Sequence, residues 1–346
     1  MLVYIHAGMH KTGTTHIQHS LAENRRALSR LGVGVWPGSV NHTSAALALA
    51  GAPRPRAAEA APKLARRVLD DIARSRRRGM RAYLLVGEGI GANLTAEAAA
   101  RLRAALGEVS DGARAIVYLR EPVSYVAAMR QEHVKAGGAL ADAPDKARPP
   151  RYRRRVEGLL SAMPEHLTIR LYDRARLTGG DALADFLGWA GLGDVTPRLT
   201  PARAGNRTLS VEAAHVWERV VRRAPEARRW PLRQKVEDVL SALPGRPFRL
   251  SAEAAARVLA ETAKDRAWLT EALGRDPFHG APPPPAGSIE WNVGEGFIDF
   301  LADMVLEVAR ARADRADSLA RRLALAFGGA AAPSGAEQRG ARDVGT

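Results

Sequence analysis

A lysine, a glycine and three threonines stand together near the start of the chain, in the order Lys11-Thr12-Gly13-Thr14-Thr15. Leu2 to Ala7 before them read as a short apolar strand. Ile17, Leu21, Leu28 and Leu31 after them recur at helical spacing. The tight loop Gly8 to Gly13 therefore sits between a buried strand and a helix N-terminus. There the first backbone N–H groups lack helical partners, and the positive end of the helix dipole faces the loop. Gly13 permits close approach, Lys11 adds a mobile charge, and the threonines add hydroxyls. This is the chemistry of a phosphate or sulfate pocket. Gly8 and Gly13 have the separation of the nucleotide-triphosphatase loop G-x-x-x-x-G-K-[ST], but Thr14 stands where that pattern has its lysine.

Further reactive groups follow apolar runs. Glu88 lies between Gly87 and Gly89, just after the run Ala82 to Val86, and is a candidate general base. A loop carboxylate or a helix cap is the plainer role for it. His42, in the Gly/Pro-rich stretch 37–60, is the competing base, with a solvated loop histidine as its plainer role. Arg120 ends the run Ala115 to Leu119 and is followed by Pro122 and Ser124. His6, His10, His16 and His19 fit no common zinc spacing, so no metal is expected. The basic run Arg151 to Arg155 reads as a solvated helix face, or as a grip for an anionic acceptor.

The loop and the Arg120-Glu-Pro122 segment together resemble the sulfotransferases that use 3′-phosphoadenosine 5′-phosphosulfate (PAPS). The resemblance covers the chain to about residue 225. It also includes Gly87-Glu88, Ile169-Arg-Leu-Tyr172-Asp173, Asp185-Phe-Leu and Asn206-Arg-Thr-Leu-Ser210. It implies a PAPS donor held by His10, Lys11, Thr12, Gly13, Thr14 and Thr15, with Arg120 on the 3′-phosphate. It also implies a base at Glu88, where the family commonly keeps one. The family places a serine where this chain has Ala128; Ser124, one turn earlier on the same face, is the expected substitute. Lys11 and Glu88, with His42 as alternative, are the expected catalytic residues. The implied acceptor is a hydroxyl or amine of a small molecule or carbohydrate. The competing functions are a P-loop kinase or nucleotide triphosphatase and a non-catalytic nucleotide-binding relative.

These residues need a scaffold, and the order of elements supplies one. Strand-like runs alternate with helical spacing to about residue 190, which predicts an α/β fold. Its sheet is open and parallel, with helices on both faces, and ligands bind beyond the C-terminal strand ends. The stretch 14–31 reads as one helix, and 37–60 as a long loop with one helical turn at most. Beyond about residue 208 only helical segments follow, with a stiff Pro-rich linker from Gly280 to Gly287. The expected organisation is an α/β core over 1–225, a helical region over 226–327 packed on it, and a disordered tail over 328–346.

The chain has 346 residues, 46% hydrophobic, with a formal charge of +15 and no cysteine. That excludes a disulfide framework, cysteine-based zinc sites and a thiol nucleophile. The positive charge reads as an Arg-rich style rather than a nucleic-acid platform, since aromatics do not interleave with the basic residues. No apolar run is long enough to span a bilayer, so the chain is expected to be cytoplasmic, with no integral membrane segment. Oligomeric state and acceptor identity have no readable signal.

Overall fold

Five apolar runs become five strands: β1 Leu2–Gly8, β2 Val33–Val35, β3 Ala82–Glu88, β4 Ala113–Leu119 and β5 Leu167–Leu171. All pair in parallel, in the order β2-β3-β1-β4-β5. The computed structural model describes residues 1–140, 148–201, 208–229, 231–311, 321–323 and 325. The expected tail from 328 lies outside the described residues, as do 141–147 and the Asn206-Arg207 part of the last family segment.

The strands are nearly continuous in apolar residues because both sheet faces are covered. On one face Leu84, Val86, Ile116 and Tyr118 pack against Ile17 and Leu21 of α1 (Thr14–Glu23), Leu28 of α2 (Arg25–Arg30), and Leu183 and Phe186 of α8 (Ala182–Trp189). Tyr83 points the opposite way, as strand alternation requires. Its hydroxyl donates to Asp71 of α4 (Ala61–Arg77) at 2.6 Å. The other α-helices before α8 among the described residues are α3 (Thr43–Leu49), α5 (Ala96–Val109), α6 (Pro122–Lys135) and α7 (Tyr152–Ala162).

Two local readings change. The helix expected over 14–31 breaks at Asn24, whose side chain bonds the Ser20 and Thr200 carbonyls and the Thr200 N–H. A side chain that satisfies distant backbone groups competes with continuing the helix. The stretch 37–60 contains a genuine helix, α3, because its Ala- and Leu-rich segment is buried.

The chain forms two compact units, and they interleave along the sequence rather than dividing near residue 225. The first comprises 1–125, 149–205 and 258–283; the second comprises 126–148, 206–257 and 284–346. The second unit is helical. Trp217 of α9 (Val211–Arg223) lies in its core with Val236 and Leu240 of α10 (Leu232–Ser241) and Leu301 and Val305 of α12 (Glu295–Arg310). Arg219 and Arg223 of α9 pair with Asp299 and Asp303 of α12. Helix α11 (Ala252–Leu273) contributes residues to both units. No helix among the described residues is long and apolar enough to cross a membrane.

One close approach fixes the loop that follows Glu88. A Cβ on Gly158 of α7 would collide with the Leu94 carbonyl, and one on Gly91 with the Arg155 carbonyl. Both obstacles are backbone and cannot swing aside. Gly158→Ala is therefore expected to destabilise the protein by about 1–3 kcal/mol, the usual cost of overpacking. Urea denaturation measures it, and an unchanged midpoint would show that α7 and the loop separate freely.

Candidate anion site at the strand ends

The parallel register sets Gly8 opposite Glu88, so β1 and β3 end flush. The Gly89 N–H extends the pairing to the Gly8 carbonyl at 2.8 Å. The loop after β1 then turns through two left-handed residues, Lys11 at φ 64° and Gly13 at φ 74°. Gly13 suits that conformation; Lys11 adopts it against the steric preference of a residue with a Cβ. Gly8 is required for room, since a Cβ there would lie 2.5 Å from the Thr14 Oγ1. A Cβ on Gly13 would meet Ala182 and the Tyr172 ring at 2.9 and 3.1 Å.

Helix α1 has no side-chain cap, unlike α5, which Thr95 caps. Its first intrahelical bond runs from the Ile17 N–H to the Gly13 carbonyl, at 3.1 Å. The amides of Thr14, Thr15 and His16 precede that bond, at the positive end of the dipole. A left-handed residue beside successive N–H groups makes an anion-binding concavity. The hydroxyls contribute less than their number in the sequence suggests. Thr12 and Thr14 are buried and donate inward to the Met9 carbonyl, at 2.7 and 3.1 Å. They shape the loop and offer a ligand only their amides. Thr15 is exposed.

Arg120 leaves β4 at the same edge. Its Nη1 donates to the Lys11 carbonyl at 2.8 Å and its Nε to the Ser124 hydroxyl at 2.8 Å. The guanidinium lies 5.9 Å from the Tyr172 ring centroid. Below it, the Tyr152 hydroxyl donates to the Arg120 carbonyl at 2.6 Å. Burial lowers the Arg120 pKa from its ordinary value, and the nearby Tyr172 and Glu121 oppose that shift. Ser124 thus orients Arg120, and Glu121 caps the following helix by accepting from the Val123 and Ser124 amides.

On the other side of the loop the Glu88 carboxylate lies 2.8 Å from His10 Nδ1, with both side chains partly exposed. His42 has a different task from the proton transfer considered for it. It is 1% exposed. Its Nδ1 accepts from the Val86 N–H at 3.0 Å, and its Nε2 lies 3.1 Å from the Ser39 carbonyl. Neither ring nitrogen is left for an acceptor. Together with the Thr43 hydroxyl on the Glu88 carbonyl at 2.7 Å, His42 pins the strand end that carries Glu88.

Other residues singled out in the sequence also find structural partners. His16 sits 2.8 Å from Asp181, the N-cap of α8, and holds that carboxyl below its usual range. Asp185 accepts from the Tyr118 hydroxyl at 2.6 Å and from Arg170 at 2.8 Å, tying β4, β5 and α8 together. Asp173 accepts from the Ala175 amide in the turn after β5. Arg153 is engaged by Glu157 and stacks 5.2 Å from the Trp268 ring, in keeping with a helix face. No sequence signal marked Tyr172 as the residue packed against Gly13, or His10 as the partner of Glu88, because each pair joins separate strands.

His6 is fully buried beside Tyr118 and Phe186, with no hydrogen bond to either ring nitrogen. Burial pushes its pKa down from 6.5 to about 3, and that of His42 to about 4. The unfolded chain therefore binds protons that the folded protein refuses. Stability from both histidines is complete above pH 6.5 and is lost as pH falls toward their folded values. The loss is about 1.4 kcal/mol per pH unit for each. His6→Leu is expected to flatten the urea midpoint between pH 6.5 and about 4.5 relative to wild type; equal slopes would contradict a neutral buried His6.

Set against known proteins, the chain has no significant match among protein-family models, curated proteins or solved structures.

Proposed function

We propose that this protein is a sulfotransferase that moves a sulfuryl group from PAPS to a hydroxyl or amine of a small-molecule or carbohydrate acceptor. One observation carries the reading: Arg120 Nη1 bonds the Lys11 carbonyl at 2.8 Å, although the two residues lie 109 positions apart. The two segments on which the family resemblance rests thus meet at one sheet edge. Two cationic groups and a run of helix-terminal amides then face a ligand with two separated anionic groups. That suits a nucleotide bearing a 5′-phosphosulfate and a 3′-phosphate.

In this reading the loop amides and Lys11 hold the phosphosulfate, and Arg120 holds the 3′-phosphate. The acceptor oxygen attacks sulfur from the side opposite the bridging oxygen. As the new S–O bond forms, the bond to the bridging oxygen breaks. Its electron pair stays with adenosine 3′,5′-bisphosphate, and Lys11 stabilises that charge. The acceptor proton departs on the Glu88 side. A kinase or nucleotide triphosphatase is disfavoured by Thr14 at the lysine position. A non-catalytic nucleotide-binding relative is favoured only by Ala128.

Adenosine 3′,5′-bisphosphate is expected to raise the melting temperature by linkage, with about 2.7 kcal/mol at a hundredfold its Kd. Adenosine 5′-phosphate at the same concentration is expected to do clearly less. Equal shifts would remove the 3′-phosphate site and with it the role of Arg120.

A further inference from the structure

We infer that His10 is the group that takes the acceptor proton, and that Glu88 acts through it as a positioning residue. The inference rests on the sulfotransferase reading and names the atoms at its acceptor side. The observation is the pair itself: Nδ1 of His10 and Oε1 of Glu88 stand 2.8 Å apart at the sheet edge where the loop amides converge. A carboxylate accepts only, so the bond fixes the proton on Nδ1. The Nε2 lone pair then has no partner among the described residues, on a ring whose side chain is 47% exposed. Glu88 is the less accessible of the two, at 29%.

The rest of the strand end explains why Glu88 is in the supporting position. The strand end is held on one side by the Gly8 pairing and the Gly89 N–H on the Gly8 carbonyl, and on the other by His42 on the Val86 amide and the Thr43 hydroxyl on the Glu88 carbonyl. The Glu88 carboxylate reaches the His10 ring from that strand end, while His10 sits on the loop that would carry the phosphosulfate. His10 is the residue immediately before Lys11, so its ring and the proposed leaving-group cation arise from neighbouring positions. An imidazole oriented by a carboxylate is the general solution for removing a hydroxyl proton near neutral pH. In the step, the acceptor oxygen forms its bond to sulfur and the bridging S–O bond breaks, its electron pair leaving with the bisphosphate. The acceptor proton passes to Nε2, giving an imidazolium paired with Glu88. It then leaves to solvent when product departs.

Nitrogen-15 NMR of the full chain labelled at histidine tests the pair without any acceptor. His10 is assigned as the signal missing from His10→Gln. At a pH where the ring is neutral, wild type is expected to show the Nδ1–H tautomer, and Glu88→Ala the Nε2–H tautomer that free imidazole side chains favour. An Nε2–H tautomer in wild type would overturn the inference. The kinetic arm follows release of adenosine 3′,5′-bisphosphate from PAPS, with water as the acceptor. His10→Gln and Glu88→Ala are each expected to slow release roughly 10²–10⁴-fold, and the double variant no further, as for groups that act as one unit. A His10→Gln protein within a few-fold of wild type, beside an inactive Glu88→Ala, would make Glu88 the base and sink the inference alone. A wild-type protein that binds no adenosine 3′,5′-bisphosphate would sink the sulfotransferase reading, and this role with it, whatever the tautomer.

Discussion

Replacing Lys11 by alanine is expected to slow release of adenosine 3′,5′-bisphosphate from PAPS roughly 10²–10³-fold, the scale of losing one transition-state donor. The fold is expected to survive. Lys11 is a loop residue at φ 64°, not a core residue. Its carbonyl, which accepts from Arg120, belongs to the backbone and remains in the variant. The alanine keeps the same left-handed strain, so any change in stability is small. Lys11→Gly separates the two effects further. Glycine adopts φ 64° without strain, so this variant is expected to be at least as stable as Lys11→Ala while equally slow. Turnover within a few-fold of wild type in either variant would show that Lys11 does not stabilise the leaving group.

Glu88→Gln is expected to cut the same reaction by roughly 10²–10⁴-fold, the range for losing general-base assistance. Bisphosphate affinity is expected to stay nearly unchanged. The substitution keeps size and leaves the Glu88 backbone bonded as before, since the Thr43 hydroxyl bonds its carbonyl and not its side chain. What disappears is the negative charge 2.8 Å from His10 Nδ1. The neutral amide cannot stabilise an imidazolium, and its NH2 end competes for the wrong ring tautomer. A Gln variant as active as wild type would show that the Glu88 charge takes no part in moving the proton. A variant that loses bisphosphate affinity as well would place Glu88 in nucleotide binding instead.

The elements around the site were legible because each announces itself locally. Leu2 to Ala7, Ala82 to Val86 and Ala115 to Leu119 are short apolar runs of strand length, as a doubly covered parallel strand requires. That reading implied that Glu88 and the Gly8 loop open on one edge, and the register pairs Gly8 with Glu88. What stayed hidden depends on partners distant in sequence. The break at Asn24 needs Thr200, and the engagement of His42 needs the Val86 amide. The inward turn of the Thr12 and Thr14 hydroxyls stayed hidden for a local reason, since it needs the Met9 carbonyl placed by the loop's own left-handed turn. His10 was legible as part of the loop but not as the companion of Glu88, since nothing in either segment states the register between their strands. The interleaving of the two units was equally invisible, because helical spacing reports a buried face and not the neighbour that buries it.

A sulfotransferase that uses PAPS must bind, at this strand edge, a nucleotide with phosphates at both its 3′ and 5′ ends. Calorimetric titration of adenosine 3′,5′-bisphosphate in the absence of divalent metal measures it most directly. Saturable binding is expected, weakened at least tenfold by Arg120→Ala, about 1.4 kcal/mol. ATP with magnesium is expected to bind more weakly than the bisphosphate. Tighter binding of magnesium-ATP, or affinity for the bisphosphate that Arg120→Ala leaves untouched, would rule out a 3′-phosphate site at Arg120.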